Sequence, residues 1–132
     1  EIISTDKVVH LWRDYPERTS RNDPNYADNS FIDLKLRRFF QLHFKLDKPL
    51  TLWGAGKKGK EIARKLIERG IEFDWVCDNP RKIGVDIYGK KLKHYSILES
   101  GLAIIYVTSL EDQQEIHDYL TNHPDIVYYW FC

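Results

Sequence analysis

Three glycines and three lysines share one short stretch, Gly54-Ala55-Gly56-Lys57-Lys58-Gly59-Lys60. The glycines fall in the order G-x-G-x-x-G, a spacing that suits a phosphate. The first permits a tight turn out of a strand. The second lets the backbone approach an anion with no Cβ between them. The third lets the following helix pack closely. The N–H groups at the start of that helix then favour negative charge. Asp78 stands near the separation, roughly 20 residues, at which a carboxylate accepts from a ribose hydroxyl. Asn79, Arg81 and Lys82 follow it, and Thr108 and Ser109 close a later apolar run. The candidate ligand-binding set is Gly54, Ala55, Gly56, Lys57, Lys58, Gly59, Asp78, Asn79, Arg81 and Thr108, with Lys82 an alternative to Arg81 for meeting a phosphate. The same residues have a second reading: a glycine turn kept for packing alone, in a fold without its ligand.

Other chemistry is not legible. No Ser-His-Asp or Cys-His arrangement stands out, and G-x-S-x-G, C-x-x-C and H-E-x-x-H do not occur. The lysines of the glycine stretch do not fit G-x-x-x-x-G-K-[ST]. His43, His117 and His123 have no ligand partners at metal spacing, and Tyr106, Tyr128 and Tyr129 read as strand aromatics. No catalytic residue and no metal ligand is assigned, so the chain reads as a binding or interaction module.

The elements that must position the candidate residues follow from periodicity. An apolar run, Leu50 to Trp53, leads into the turn. A helix follows with Ile62, Ala63, Leu66 and Ile67 on one face, and Gly70 stops it. Ile71 to Cys77 reads as the next strand, which completes a βαβ unit. Upstream, Ser30 looks like the N-cap of a helix from about Phe31 to Phe44, with a stripe of Ile32, Leu36, Phe39, Phe40 and His43. Downstream, Asn79 to Gly84 is a turn, and Lys90 to Leu98 has no clean period and suggests a short strand with a turn of helix. Leu102 to Val107 is a continuous apolar run, the mark of a buried parallel strand. Ser109 caps a helix to about Asn122, and Ile126 to Phe131 forms a last strand. The expectation is α/β: a small Rossmann-like three-layer domain with a short, mostly parallel sheet of four or five strands and three or so helices. Residues 1–30 form an irregular arm, 31–48 a linking helix and 49–132 the Rossmann-like domain. That is little more than one of the two βαβαβ halves of a dinucleotide domain, room for a mononucleotide or part of a cofactor.

Composition sets outer bounds. With 132 residues the chain holds one domain and an arm. Acids and bases balance at 20 each, which gives no argument for nucleic acid or an anionic membrane. No apolar run approaches the ~20 residues that span a bilayer. The start, Glu1-Ile2-Ile3-Ser4, lacks a signal-peptide pattern, and the absence of Met suggests a fragment of a longer protein. Two cysteines, Cys77 and Cys132, fit a reducing compartment.

The first thirty residues are rich in turn formers, with Arg13, Arg18 and Arg21 among Trp12, Tyr15 and Tyr26. They read as an arm that docks its aromatics on a neighbouring domain, or as a surface for phosphate and sugar. His10-Leu11-Trp12-Arg13-Asp14-Tyr15-Pro16-Glu17-Arg18-Thr19-Ser20-Arg21, followed by Asp23-Pro24-Asn25-Tyr26, resembles the end of the catalytic region in a group of bacterial family 2 glycosyltransferases. In that group a helix follows, then a small Rossmann-like domain opening W-G-A-G-x-x-G-K, as at Trp53 to Lys60. It continues D-x-P-x-K-I-G, as at Asp78, Pro80, Lys82, Ile83 and Gly84, then I-x-G at Ile87 and Gly89. The resemblance implies a parent that transfers sugar from a nucleotide-sugar in cell-surface polysaccharide assembly. It implies a bacterial cytoplasmic location, peripheral at the inner membrane through the parent. It also implies that the transferase site, with its metal-holding D-x-D motif, lies in a catalytic domain missing from this chain. Of the arm, only Trp12, Arg13 and Arg21 would border the acceptor site. A similar glycine opening in bacterial sugar-nucleotide acyltransferases faces the nucleotide-sugar. The expected ligand and partner are thus a nucleotide or nucleotide-sugar and the missing catalytic domain. The alternatives are an NAD(P)-binding half of an oxidoreductase, and a ligand-free packing or homo-oligomerisation module using Trp53, Trp75 and Tyr128-Tyr129-Trp130-Phe131.

Overall fold

The computed structural model describes residues 13, 15–18, 22, 31–45 and 47–132, and the chain divides into two units, residues 1–31 and 32–132. In the first, Arg18 N donates to Tyr15 O, and the Asn22 amide donates to Pro16 O at 2.8 Å. The expectations for Trp12, Arg21, Tyr26 and the Ser30 cap lie outside the described residues.

In the second unit the elements run α1 (Ile32–Leu42), β1 (Leu50–Trp53), α2 (Lys57–Glu68), β2 (Asp74–Cys77), β3 (Asp86–Ile87), β4 (Lys90–Lys91) and β5 (Lys93–His94). A 3-10 turn (Tyr95–Ile97) follows, then β6 (Gly101–Ile105), α3 (Leu110–Thr121) and β7 (Ile126–Trp130). Five strands form one sheet in the order β5-β2-β1-β6-β7, parallel at every join. β3 and β4 make a separate antiparallel hairpin. Numbered within the sheet alone, this order is 3-2-1-4-5, five of the six places of the dinucleotide-binding fold. Five strands, all parallel, meet the expected four or five in a short, mostly parallel sheet.

Both faces are covered, which is why β1 and β6 are buried at every position and read as unbroken apolar runs. Alternate residues serve opposite faces. Leu50, Leu52, Leu102 and Ile104 pack with Leu36 and Phe39 of α1 and Ile62 and Leu66 of α2. Trp53, Ala103 and Ile105 pack with Ile116 and Leu120 of α3. The helix ends are set locally. Gly70, at φ 66°, ends α2 in a Schellman arrangement, with Gly70 N on Ile67 O and Ile71 N on Leu66 O. Ile71 thus serves the helix end, and the strand starts only at Asp74. Ser109 Oγ caps α3 by accepting from Asp112 N, as its position suggested.

Candidate functional site

The glycine turn lies where β1 ends and α2 begins. Gly54 sits at φ 123°, and a Cβ there would stand 2.3 Å from Tyr106 O. A Cβ on Gly59 would stand 2.2 Å from Gly54 O. Both glycines are fixed by backbone against backbone, ligand or no ligand. Gly56 is different. Its φ of −78° suits any residue, and a Cβ there meets nothing within 4 Å among the described residues.

Gly56 is also the N-cap of α2, and no side chain caps that end. The first turn carries Lys57, Lys58 and Lys60 and no acid. Cations at a helix N-terminus oppose the macrodipole, whereas an anion there is favoured. Lys58 is held by Glu61 at 3.1 Å. Two side chains from beyond β1 grip the turn itself. The Trp75 indole donates to Gly54 O at 2.9 Å, fully buried, and Lys82 Nζ donates to Ala55 O at 3.1 Å.

Beside the turn opens a cleft of about 480 Å³. Ala55 and Gly56 form one end, Lys57, Lys60, Glu61 and Arg64 of α2 one wall, and Lys82 and Tyr88 the other. Four cations face one carboxylate there, and that carboxylate already holds Lys58. Arg64 also pairs with Glu68 at 3.8 Å, and the cleft lining as a whole is cationic.

The remaining sequence candidates are arranged around this cleft rather than in it. Asp78 lies exposed just after β2, and its carboxylate forms no hydrogen bond or ion pair among the described residues. Asn79 shapes the loop: its Oδ1 accepts from Arg81 N, and its carbonyl from Lys82 N. That turn sends Lys82 back to the glycine turn and leaves Arg81 exposed outside the cleft. Thr108, past β6, is exposed and outside it too. Cys77, next to Asp78, has its thiol pushed up from 9.0 by burial; a backbone hydrogen bond at Asn79 opposes the rise, Asp78 adds to it, and Lys82 opposes it. The sequence reading did not place Lys60, Arg64, Trp75 or Tyr88 at the site. The spacing of Lys57, Lys60 and Arg64 on one helix stripe is the signal that could have found two of them. Among the described residues no group of three His, Cys, Asp or Glu could hold a metal, and no helix is long and apolar enough to cross a membrane.

No protein-family model matches the chain, and no curated protein does. Among solved structures the chain is similar to RSP, a Rex-family repressor, with a TM-score of 0.50 and 18% identity, over 74% of this chain and 59% of that one. The fold is Rossmann-like. It spans less than two thirds of that repressor, and at such identity the likeness speaks for fold alone. UDP-D-quinovosamine 4-dehydrogenase from Vibrio fischeri gives a TM-score of 0.46 at 18% identity, over 61% of this chain and 76% of that one, a likeness that carries no argument.

Proposed function

We propose that residues 49–132 bind a nucleotide or nucleotide-sugar at the glycine turn, as the C-terminal accessory domain of a bacterial glycosyltransferase whose catalytic domain lies outside this chain. The observation that carries the binding is Gly56. Packing requires Gly54 and Gly59, but among the described residues nothing occupies the space a side chain at Gly56 would fill. An uncapped helix start with three lysines and no acid faces that space. A phosphate there would satisfy donors and offset the lysine repulsion together. Lys57 and Lys82 flank the phosphate, and Asp78 is left for a ribose hydroxyl. The choice of a nucleotide-sugar, and the transferase parent in a bacterial cytoplasm, rest on the resemblance of the glycine turn and of Asp78 to Gly84.

A second reading, an NAD(P) site, is supported by the strand order and by the unengaged Asp78. A thermal-shift panel with UDP-, GDP- and CMP-sugars, NAD(P) and S-adenosylmethionine separates the two. Ligand at a hundred times Kd stabilises by ~2.7 kcal/mol. The expected result is a shift with a nucleotide-sugar that disappears in Gly56→Val. A shift with NAD(P) alone selects the second reading, and no shift with any ligand removes both.

A further inference from the structure

We propose that Tyr88 is the stacking platform for the ligand's base: phosphates on the glycine turn, and the base on the tyrosine ring at the far wall of the same cleft. This rests on the nucleotide reading and deepens it.

The register Ile87↔Lys90 leaves only Tyr88 and Gly89 in the hairpin turn, at φ 58° and 75°. A two-residue turn with both φ positive favours Asn-Gly, and a bulky first residue is a genuine outlier. Tyr88 is the only non-glycine among the described residues with positive φ. Such strain persists where something else needs the side chain. The core does not: Tyr88 is 53% exposed. Its ring lies 20° from the plane of Trp75 with centroids 6.4 Å apart, and Trp75 holds Gly54 O. One buried residue thus sets both the tyrosine plane and the turn, and the outer face of Tyr88 is left to the cleft. Cationic walls select an anion, and an exposed ring on the same cleft selects a planar group; a nucleotide carries both. The volume falls within the range of small-ligand sites, roughly 300–1,000 Å³. The competing role is a cover for Trp75, and it makes the opposite forecasts.

The test is calorimetry on the full chain with UDP and AMP, and with inorganic diphosphate as the base-free probe, for wild type, Tyr88→Asn and Tyr88→Phe. Tyr88→Asn installs the favoured turn pair and is expected to melt at or above wild type. Its Kd for the nucleotide that wild type binds is expected to rise about tenfold or more, as loss of one base stack implies. Diphosphate affinity stays the same, and Tyr88→Phe keeps wild-type binding. Unchanged nucleotide affinity in Tyr88→Asn overturns the platform and leaves the nucleotide reading standing. So does equal loss of diphosphate, which would mean a disturbed turn. Wild type that binds neither nucleotide, nor any nucleotide-sugar or NAD(P) of the thermal-shift panel, overturns both.

Discussion

The sheet has two crossovers on its β2 side, and they are built differently. Between β1 and β2 the chain makes a glycine turn and a twelve-residue helix. Between β2 and β5 it makes a turn and a small hairpin, with no helix. The first is dictated by contact: Gly54 against Tyr106, Gly59 against Gly54, and the Ile62, Ala63 and Leu66 stripe in the core. The second rests on one core residue, Leu92, with Ile83 and Ile87 packed against the core, on the Gly84–Leu92 and Leu92–Val85 backbone bonds, and on exposed pairs, Lys90 with Glu72 and Lys93 with Asp74, each worth little. Yet the hairpin crossover delivers Lys82 and Tyr88 to the cleft. On the proposed reading, the first crossover would supply the phosphate contacts and the second the side chains that tell one ligand from another.

The largest effect expected falls on the rigid crossover. Gly54→Ala adds a Cβ against Tyr106 O at a φ that L residues avoid, and Gly59→Ala drives one into Gly54 O. Backbone cannot retreat easily, so each is expected to cost about 3 kcal/mol or more in urea unfolding, or to prevent folding. Gly56→Ala should lie within about 1 kcal/mol of wild type, a modest N-cap loss. If all three alanines behaved alike, the contrast between packing glycines and a ligand glycine would be gone.

Trp75 and Trp53 offer a finer version. Both are 1% exposed, but Trp75 donates to Gly54 O, whereas Trp53 Nε1 has no partner among the described residues. Phe at either site leaves a comparable cavity. Trp75→Phe also orphans a turn carbonyl, so it should exceed Trp53→Phe by about 1–3 kcal/mol in denaturant midpoints. Equal costs would mean that the indole does not hold the turn. On the looser crossover, Lys82→Met loses one partly exposed hydrogen bond and should cost about 1 kcal/mol or less. Its nucleotide affinity should nevertheless fall about tenfold by calorimetry. A stability loss without an affinity loss would make Lys82 a brace for the turn and nothing more.

The rigid crossover was legible in the sequence because each part leaves a mark of its own: an apolar run, glycines at fixed spacing, a 3.6-residue stripe and a stop at Gly70. The strand through Leu102 to Ile105 was legible because burial on both faces demands unbroken apolarity. The hairpin itself was not, although the turn at Asn79 to Gly84 and a short strand with a turn of helix within Lys90 to Leu98 were expected and are found. β3, β4 and β5 have two residues each, too few to show a period of two, and β5 is Lys93-His94, polar and exposed at the sheet edge. Of its two cleft side chains, Lys82 was expected only as an alternative to Arg81, and Tyr88 was not foretold by local pattern. Lys82 reaches the site, rather than its neighbour Arg81, only because Asn79 turns the chain at Arg81 N. Tyr88 breaks the turn rule that would have announced the hairpin. Trp75 was visible as a large strand residue, but its hydrogen bond depends on a register that spacing does not reveal.

The smallest effect expected tests where the two crossovers meet, at the end of β2. Burial raises the Cys77 thiol above 9.0, and burial, then Tyr95 and Glu99, raise Tyr119 above 10.0. For both groups the folded chain holds its proton to higher pH than the unfolded chain does. Below the unfolded value both states are protonated and neither group makes stability pH-dependent. Above it the unfolded chain ionises first, so stability falls with rising pH until the folded group also titrates. Melting temperature should therefore decline once pH passes about 9, first through Cys77 and then through Tyr119. Cys77→Ala should flatten the earlier part of that decline and leave the later part. A Cys77→Ala profile that still falls from pH 9 would show that the thiol is not shielded. The end of β2, where Cys77 precedes the loop that carries Lys82, would then belong with the loose crossover rather than the rigid one.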